Sequence, residues 1–285
     1  MWFILRDMAS ADASELEPKG RVLVVAGSDS GGGAGIQADI KTITVLGGYA
    51  ATAVTALTAQ NTLGVFGVVP VDPEFVAEQI SVVLTDIGAD AVKTGMLFSE
   101  EIIAAVASCL EARARRLPII VDPVMVAKGG TALLQQRARV ALVERLLPLA
   151  ALITPNAPEA AALSGVKVEN VSDMERAADT LLAYGASAVL IKGGHVPGDL
   201  IVDVLRTADG ESFRFEHPRI VTKSTHGTGC TLASAIATGV ALGFTLRDAV
   251  ERAEDYVVEA IRTAPGLGKG HGPLNHGHVI GARLN

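Results

Sequence analysis

Residues 222–236 read TKSTHGTGCTLASAI, and this stretch decides the fold. The lead-in Arg219-Ile220-Val221-Thr222 predicts a strand, Gly227-Thr228-Gly229 a tight turn, and the small residues from Thr228 onward a helix. Strand, glycine turn and helix in that order form the repeating unit of an α/β protein. Two glycines let consecutive N–H groups point at one spot. The positive end of the following helix points there too, which makes an anion site. Cys230 stands where loop becomes helix, a setting that lowers a thiol's pKa. The plain alternative is a glycine-rich turn followed by a small buried cysteine.

The composition is consistent with this unit. A chain of 285 residues suits one large α/β domain or two small ones. The hydrophobic share is 49% with only 4% aromatic residues, which fits buried parallel strands and close-packed helices. The formal charge of −7, without any Lys/Arg-rich run, argues against a nucleic-acid partner. Cys109 and Cys230 make no disulfide framework, and no Cys/His spacing of the metal-binding type is present. No stretch has the length and apolarity of a membrane span or signal-peptide core, so the expected location is the cytoplasm. Residues 1–20 read as a disordered tail, and 21–285 as one domain.

In chain order, Arg21–Ala26 predicts a buried strand, followed by the loop Gly27-Ser28-Asp29-Ser30-Gly31-Gly32-Gly33-Ala34-Gly35. A helix follows, with Ile36, Ile40 and Ile43 on one face, Asp39 toward its buried side, and Gly47 as its stop. The loop does not have the dinucleotide-binding spacing, and no Lys-Ser/Thr follows it as a Walker A loop requires. Strands are expected at 50–59, 66–71, 91–96, 119–122, 152–154 and 188–192, and helices at 73–87, 99–117, 134–147 and 246–263. Gln60, Met96, Asp122 and Lys192 then fall at the C-terminal edges of strands, where open α/β sheets bind ligands. Asn156 and Glu159 have capping-box spacing at a helix start, and Ser172-Asp173-Met174-Glu175 reads as a second capping box. Asp209-Gly210 signals a hairpin, and hence a small antiparallel addition to the sheet.

Taken jointly, eight stretches resemble one family. They are AGSDSGGGAGIQADIKT (26–42), TALTAQNTLGV (55–65), KTGML (93–97), VDPVM (121–125), ITPNAPEA (153–160), IKGGH (191–195), TKSTHGTGCTLASAI (222–236) and GKGHGPLNH (268–276). In this order they resemble the bacterial hydroxymethylpyrimidine/phosphomethylpyrimidine kinases of thiamine biosynthesis, in the ribokinase-like superfamily. The resemblance implies a doubly wound, mostly parallel central sheet flanked by helices, ATP and Mg²⁺ as cofactors, and a homodimer. It implies two successive phosphorylations of 4-amino-5-hydroxymethyl-2-methylpyrimidine, first on the alcohol and then on its monophosphate. No thiamine-phosphate synthase region is expected in the chain.

Carried over by motif, Asp39, Gln60 and Met96 would line the pyrimidine site. Gly227, Thr228, Gly229 and Cys230 would form the anion hole, with Cys230 as the base. Asp122 and Glu159 would sit at the metal, and Lys192, Thr225 and Asn156 at the nucleotide. Gln60 can both donate to and accept from a ring nitrogen–amine edge, and Met96 offers a soft contact to a flat ring. The nearest rival is pyridoxal kinase, against which Gln60 and the Lys93–Met96 edge favour the pyrimidine. A catalytically silent ligand-binding or regulatory domain is a rival of another class. Cys230 with its anion loop, and the lack of a DNA-binding appendage, argue against that one.

Overall fold

Alternation determines how the first strand is used. Val22, Val24 and Ala26 face one layer of helices, Leu23 and Val25 face the other, and all five are buried. A strand apolar on both faces belongs in the middle of a parallel sheet. The computed structural model, which describes residues 20–125 and 136–281, places it there. The tail expected at 1–20 lies outside the described residues except for Gly20, as do the first two residues of the helix expected at 134–147.

The strands are β1 (Arg21–Asp29), β2 (Tyr49–Asn61), β3 (Gly64–Pro70), β4 (Ala91–Thr94), β5 (Ile119–Val121), β6 (Leu152–Ile153), β7 (Ala188–Ile191), β8 (Leu200–Thr207) and β9 (Ser212–Pro218). They form one sheet in the order β3-β2-β1-β4-β5-β6-β7-β8-β9. Pairings from β2 through β7 are parallel, while β3, β8 and β9 add antiparallel edges. The expected doubly wound sheet with an antiparallel addition is therefore present. The β8–β9 hairpin turns at Asp209-Gly210, where Gly210 takes a φ of 95°. The order reverses at β1, whose neighbours are β2 and β4, so a crevice opens at the C-terminal end of β1.

Helices α1 (Gly35–Val45), α7 (Thr228–Ala241) and α8 (Leu246–Arg262) cover one face. On the other lie α2 (Pro73–Asp86), α3 (Glu100–Arg113), α4 (Gln136–Ala141), α5 (Ala157–Ser164) and α6 (Val171–Ala183). A short α9 (His278–Gly281) ends the described chain. Ser99 caps α3 and Asn156 caps α5, as their sequences suggest.

Three expectations change. The cap of α6 is Asn170, whose side chain accepts from the Asp173 N–H, so the box drawn at Ser172 begins two residues late. The expected helix at 134–147 leaves α-geometry at Leu142 and tightens into a 3₁₀ turn at Leu147–Leu149, which contains Pro148. The lead-in to the anion turn is not a strand. After Pro218 the chain leaves the sheet, and Val221 is 97% exposed. Arg219 explains the departure, because its guanidinium donates to the carbonyls of Gly194, Val196 and Gly198 and holds the chain beside that loop.

Candidate active site

Two glycine-rich turns meet at the crevice beyond β1. Gly227 caps α7 with a φ of 81°, and a Cβ built there would lie 1.8 Å from the Gly33 carbonyl oxygen. Only glycine fits such an approach. Gly33 in turn faces the His226 ring, 2.6 Å from where its own Cβ would be. The loop after β1 and the turn before α7 are thus one interlocked surface. Thr228 closes the turn by donating from Oγ1 to the Thr225 carbonyl at 2.9 Å. The first N–H groups of α7, at Thr228, Gly229 and Cys230, have no partner within the helix, which is what an anion requires.

Charged side chains converge on that turn. Lys192, just after β7, donates to Asp122 Oδ1 at 3.2 Å, and its Nζ lies 3.1 Å from a Cβ built on Gly229. Thr154 also donates to Asp122 Oδ1, at 3.3 Å. Burial alone would lower the Lys192 pKa, but Asp122 and Glu159 hold it above its usual value. Asn156 is bridged to Lys192 through the backbone. Asn156 N–H donates to Glu159 Oε2 at 2.8 Å and Glu159 N–H donates to Asn156 Oδ1 at 2.9 Å, a complete capping box. Burial raises the Glu159 carboxyl to about 7, with Lys192 pulling it down and Asp122 pushing it up. Among the described residues no group of three or more His, Cys, Asp or Glu side chains is placed to hold a metal. Mg²⁺ at phosphoryl-transfer sites takes one or two carboxylates and keeps its other positions for phosphates and water. The pair Asp122 and Glu159 fits that mode.

Cys230 reverses its expectation. Burial pushes the thiol up to about 12, although the Lys93 ammonium pulls it down. The helix start does not prevail here, because desolvation of a thiolate outweighs a partial dipole charge. Asp39 is corrected as well. It has no exposed surface and lies beneath the site, where it accepts from Lys93 and, at 2.6 Å, from Ser234 Oγ. Ser234 is four residues past Cys230 and so on the same face of α7. Asp39 acts on the site from below, through its ion pair with Lys93, its bond to Ser234 on α7, and its charge on Cys230 and Asp122.

Gln60 lies near the end of β2 and Met96 just after β4, and these strands are the two neighbours of β1. Met96 is buried, and its methyl group lies 2.3 Å from a Cβ built on Gly27, so the missing side chain of Gly27 makes its room. The Gln60 side chain stands between Thr58 and His226: Oε1 is 3.2 Å from Thr58 Oγ1 and Nε2 is 3.2 Å from His226 Nε2. His226 Nε2 also lies 2.8 Å from Asp29 Oδ2. Asp29 accepts from the N–H groups of Gly31, Gly33 and Ala34 as well. Burial would raise the Asp29 carboxyl, yet His226 and the Gly31 and Ala34 N–H groups hold it below the usual carboxylate range. Asp29, Lys93 and His226 carry no assignment from the sequence, although each lies inside a quoted motif. An acid leading a glycine loop and a lysine ending an apolar strand were the available signals.

A doubly wound sheet whose topological switch faces an amide-lined turn, with a lysine and two carboxylates beside it, is the architecture of a ribokinase-like small-molecule kinase. The Phosphomethylpyrimidine kinase family model matches residues 29–275. The chain belongs to that family. It is 48% identical over 258 residues to the hydroxymethylpyrimidine/phosphomethylpyrimidine kinase of Bacillus subtilis, covering 90% of this chain and 94% of that protein. It is 56% identical over 260 residues to the thiamine biosynthesis bifunctional protein ThiED of Geobacter sulfurreducens, covering 91% of this chain and about half (52%) of that longer protein. Among solved structures, an ADP complex of Bacillus subtilis pyridoxal kinase superposes with a TM-score of 0.84 at 35% identity, over 94% of this chain and all of that one. The phosphomethylpyrimidine kinase of Clostridium difficile 630 superposes with a TM-score of 0.75 at 42% identity, over 85% of this chain and all of that one.

Proposed function

We propose that this chain transfers the terminal phosphoryl group of ATP to the hydroxyl of 4-amino-5-hydroxymethyl-2-methylpyrimidine, and then a second one to the resulting monophosphate. The observation that carries this reading is the Gly227–Cys230 turn with Lys192 and Asp122 at its mouth. Phosphoryl transfer asks for positioning and charge neutralisation more than covalent chemistry. In this reading the α7 N–H groups receive the developing charge, Lys192 balances it, and Asn156 and Thr225 border the nucleotide. Mg²⁺, held by Asp122 and Glu159, would shield the phosphates. Gln60 and Met96 meet the ring.

In the first step the hydroxyl oxygen bonds to phosphorus as the bond to the ADP leaving oxygen breaks, and the hydroxyl proton passes to the Cys230 thiolate. Burial holds most of Cys230 as thiol, so the step runs through the fraction that has already given its proton to solvent, a fraction the Lys93 ammonium increases. Side activity on pyridoxal is a second reading, motivated by the close superposition on a pyridoxal kinase. ATP consumption by the purified protein, with the pyrimidine alcohol and pyridoxal run side by side, tests both. A rate with neither acceptor would sink the kinase reading.

We place the protein in the cytoplasm as a homodimer. No helix among the described residues is long and apolar enough to cross a membrane. The exposed Leu63, Phe66 and Val69, on β3 and the turn before it, offer a second copy an apolar surface.

A further inference from the structure

The side-chain amide of Gln60 is held at both ends, and counting protons tells which end is which. Asp29 is an ionised acceptor already taking three backbone N–H groups, so the His226 nitrogen 2.8 Å from it carries a proton. The same Nε2 lies 3.2 Å from the Gln60 amide, so its one proton, held mainly by Asp29, is shared with that amide as a three-centre bond. A nitrogen bearing hydrogen faces an acceptor, so the amide turns its carbonyl toward His226. At the other end, Thr58 Oγ1 lies 2.9 Å from the Ser28 carbonyl oxygen, which can only accept. The single Thr58 proton goes there, leaving lone pairs toward Gln60 at 3.2 Å. The amide therefore turns its NH₂ toward Thr58. In this orientation the Thr58 contact is a hydrogen bond and the His226 contact is the longer arm of the bond shared with Asp29. In the reverse orientation two lone pairs oppose each other at Thr58 and two N–H groups at His226.

We propose that His226, its Nε2 proton directed by Asp29, fixes the Gln60 amide with carbonyl toward His226 and amino group toward Thr58, and so sets which edge an acceptor molecule must present. After these two contacts Gln60 keeps one free N–H and one free carbonyl lone pair, in a set order. Their complement is a ring nitrogen beside an exocyclic amino group. The 4-oxo analogue, with a ring N–H beside a carbonyl, presents the reverse order and is refused. His226 is thus a positioning residue for substrate choice, and this inference rests on the kinase reading with Gln60 at the ring.

The test compares two replacements of similar polarity. The amide nitrogen of His226→Gln reaches about as far as the imidazole Nε2 and keeps the donor; that of His226→Asn stops short. The readout is the ratio of kcat/KM for the 4-amino alcohol to that for its 4-oxo analogue. His226→Asn should lower this ratio by roughly tenfold, the scale of one buried hydrogen bond left unmade, with ATP KM unchanged. His226→Gln should keep the ratio of the unmodified protein. An unchanged ratio in His226→Asn overturns the proposal. Independently of turnover, ¹⁵N NMR of the ligand-free protein should find the His226 ring protonated at Nε2. A ring protonated only at Nδ1 overturns the proposal even in an active enzyme. An inactive protein with the expected tautomer would instead discredit the kinase reading.

Discussion

Lys93 Nζ lies 2.9 and 3.0 Å from the two carboxylate oxygens of Asp39, and neither side chain reaches solvent. Burial acts against both charges, raising the Asp39 carboxyl and opposing the Lys93 ammonium. Even so, Asp39 and Asp122 hold Lys93 above its usual value. The pair therefore remains ionised. Removing one member strands the other, at a cost of about 3–5 kcal/mol. Lys93→Met and Asp39→Leu should each show that loss in urea unfolding, whereas the two combined should lose much less than the sum. Strict additivity would mean that the two charges do not stabilise each other.

For Cys230, the proposed base, alanine should cost the first phosphorylation about 10²–10⁴-fold in kcat. The second step transfers to a phosphate oxygen, which has no proton to lose, and should suffer much less. Because burial places the thiol near 12, the thiolate fraction grows through the whole neutral and mildly alkaline range. The first-step rate should climb with pH there, and the second should not. Cys230→Asp should restore part of the first-step rate. Equal losses in both steps would leave Cys230 with a purely structural role.

His276 gives an acid-side signature in stability. Its ring is buried against Thr231, with Nε2 3.0 Å from Oγ1, and burial, followed by Lys41 and His278, lowers its pKa from 6.5 to about 4. Between those values the unfolded chain binds a proton that the folded chain refuses. The contribution is complete above pH 6.5 and is lost as pH falls toward 4. His276→Gln should flatten the stability curve in that window, by a few kcal/mol at most. Unfolding midpoints in urea at several pH values would show it, and an unchanged slope would mean that His276 is protonated in the folded chain.

Gly227→Ala combines a φ of 81° with a Cβ 1.8 Å from the Gly33 carbonyl. Either the first turn of α7 or the loop after β1 must move. The variant should lose at least 10²-fold in kcat/KM, on the scale of a displaced oxyanion donor, and a few kcal/mol in stability. Gly210→Ala, at the tip of the β8–β9 hairpin with nothing within 4 Å of its Cβ, should pay only the strain of its φ of 95° and keep turnover. Similar activity in the two would deny the interlock.

The ligand-binding edge of the sheet was readable because Gln60, Asp122 and Lys192 each follow an apolar run, and a run's end is a local property. The anion turn was readable because glycine spacing is local as well. The lead-in failed at Arg219, whose fate depends on three carbonyls at 194–198 that no periodicity reveals. The lowered thiol pKa expected for Cys230 failed for the same reason. A helix start is visible in sequence, whereas the burial that overrides it depends on chain far away. Asp39 was placed correctly toward the core, but its partner Lys93 lies 54 positions on, so a ligand was assigned where an ion pair stands.

The contact between His226 and Asp29 spans 197 positions, and the Gly33–Gly227 approach nearly as many. Neither turn has its working shape until nearly the whole chain between them has assembled. Closing so long a span comes late and slowly in folding. During refolding, helical signal should return before the ability to turn over substrate does. A ribosome still making α7 would carry a protein with most of its sheet and no catalyst.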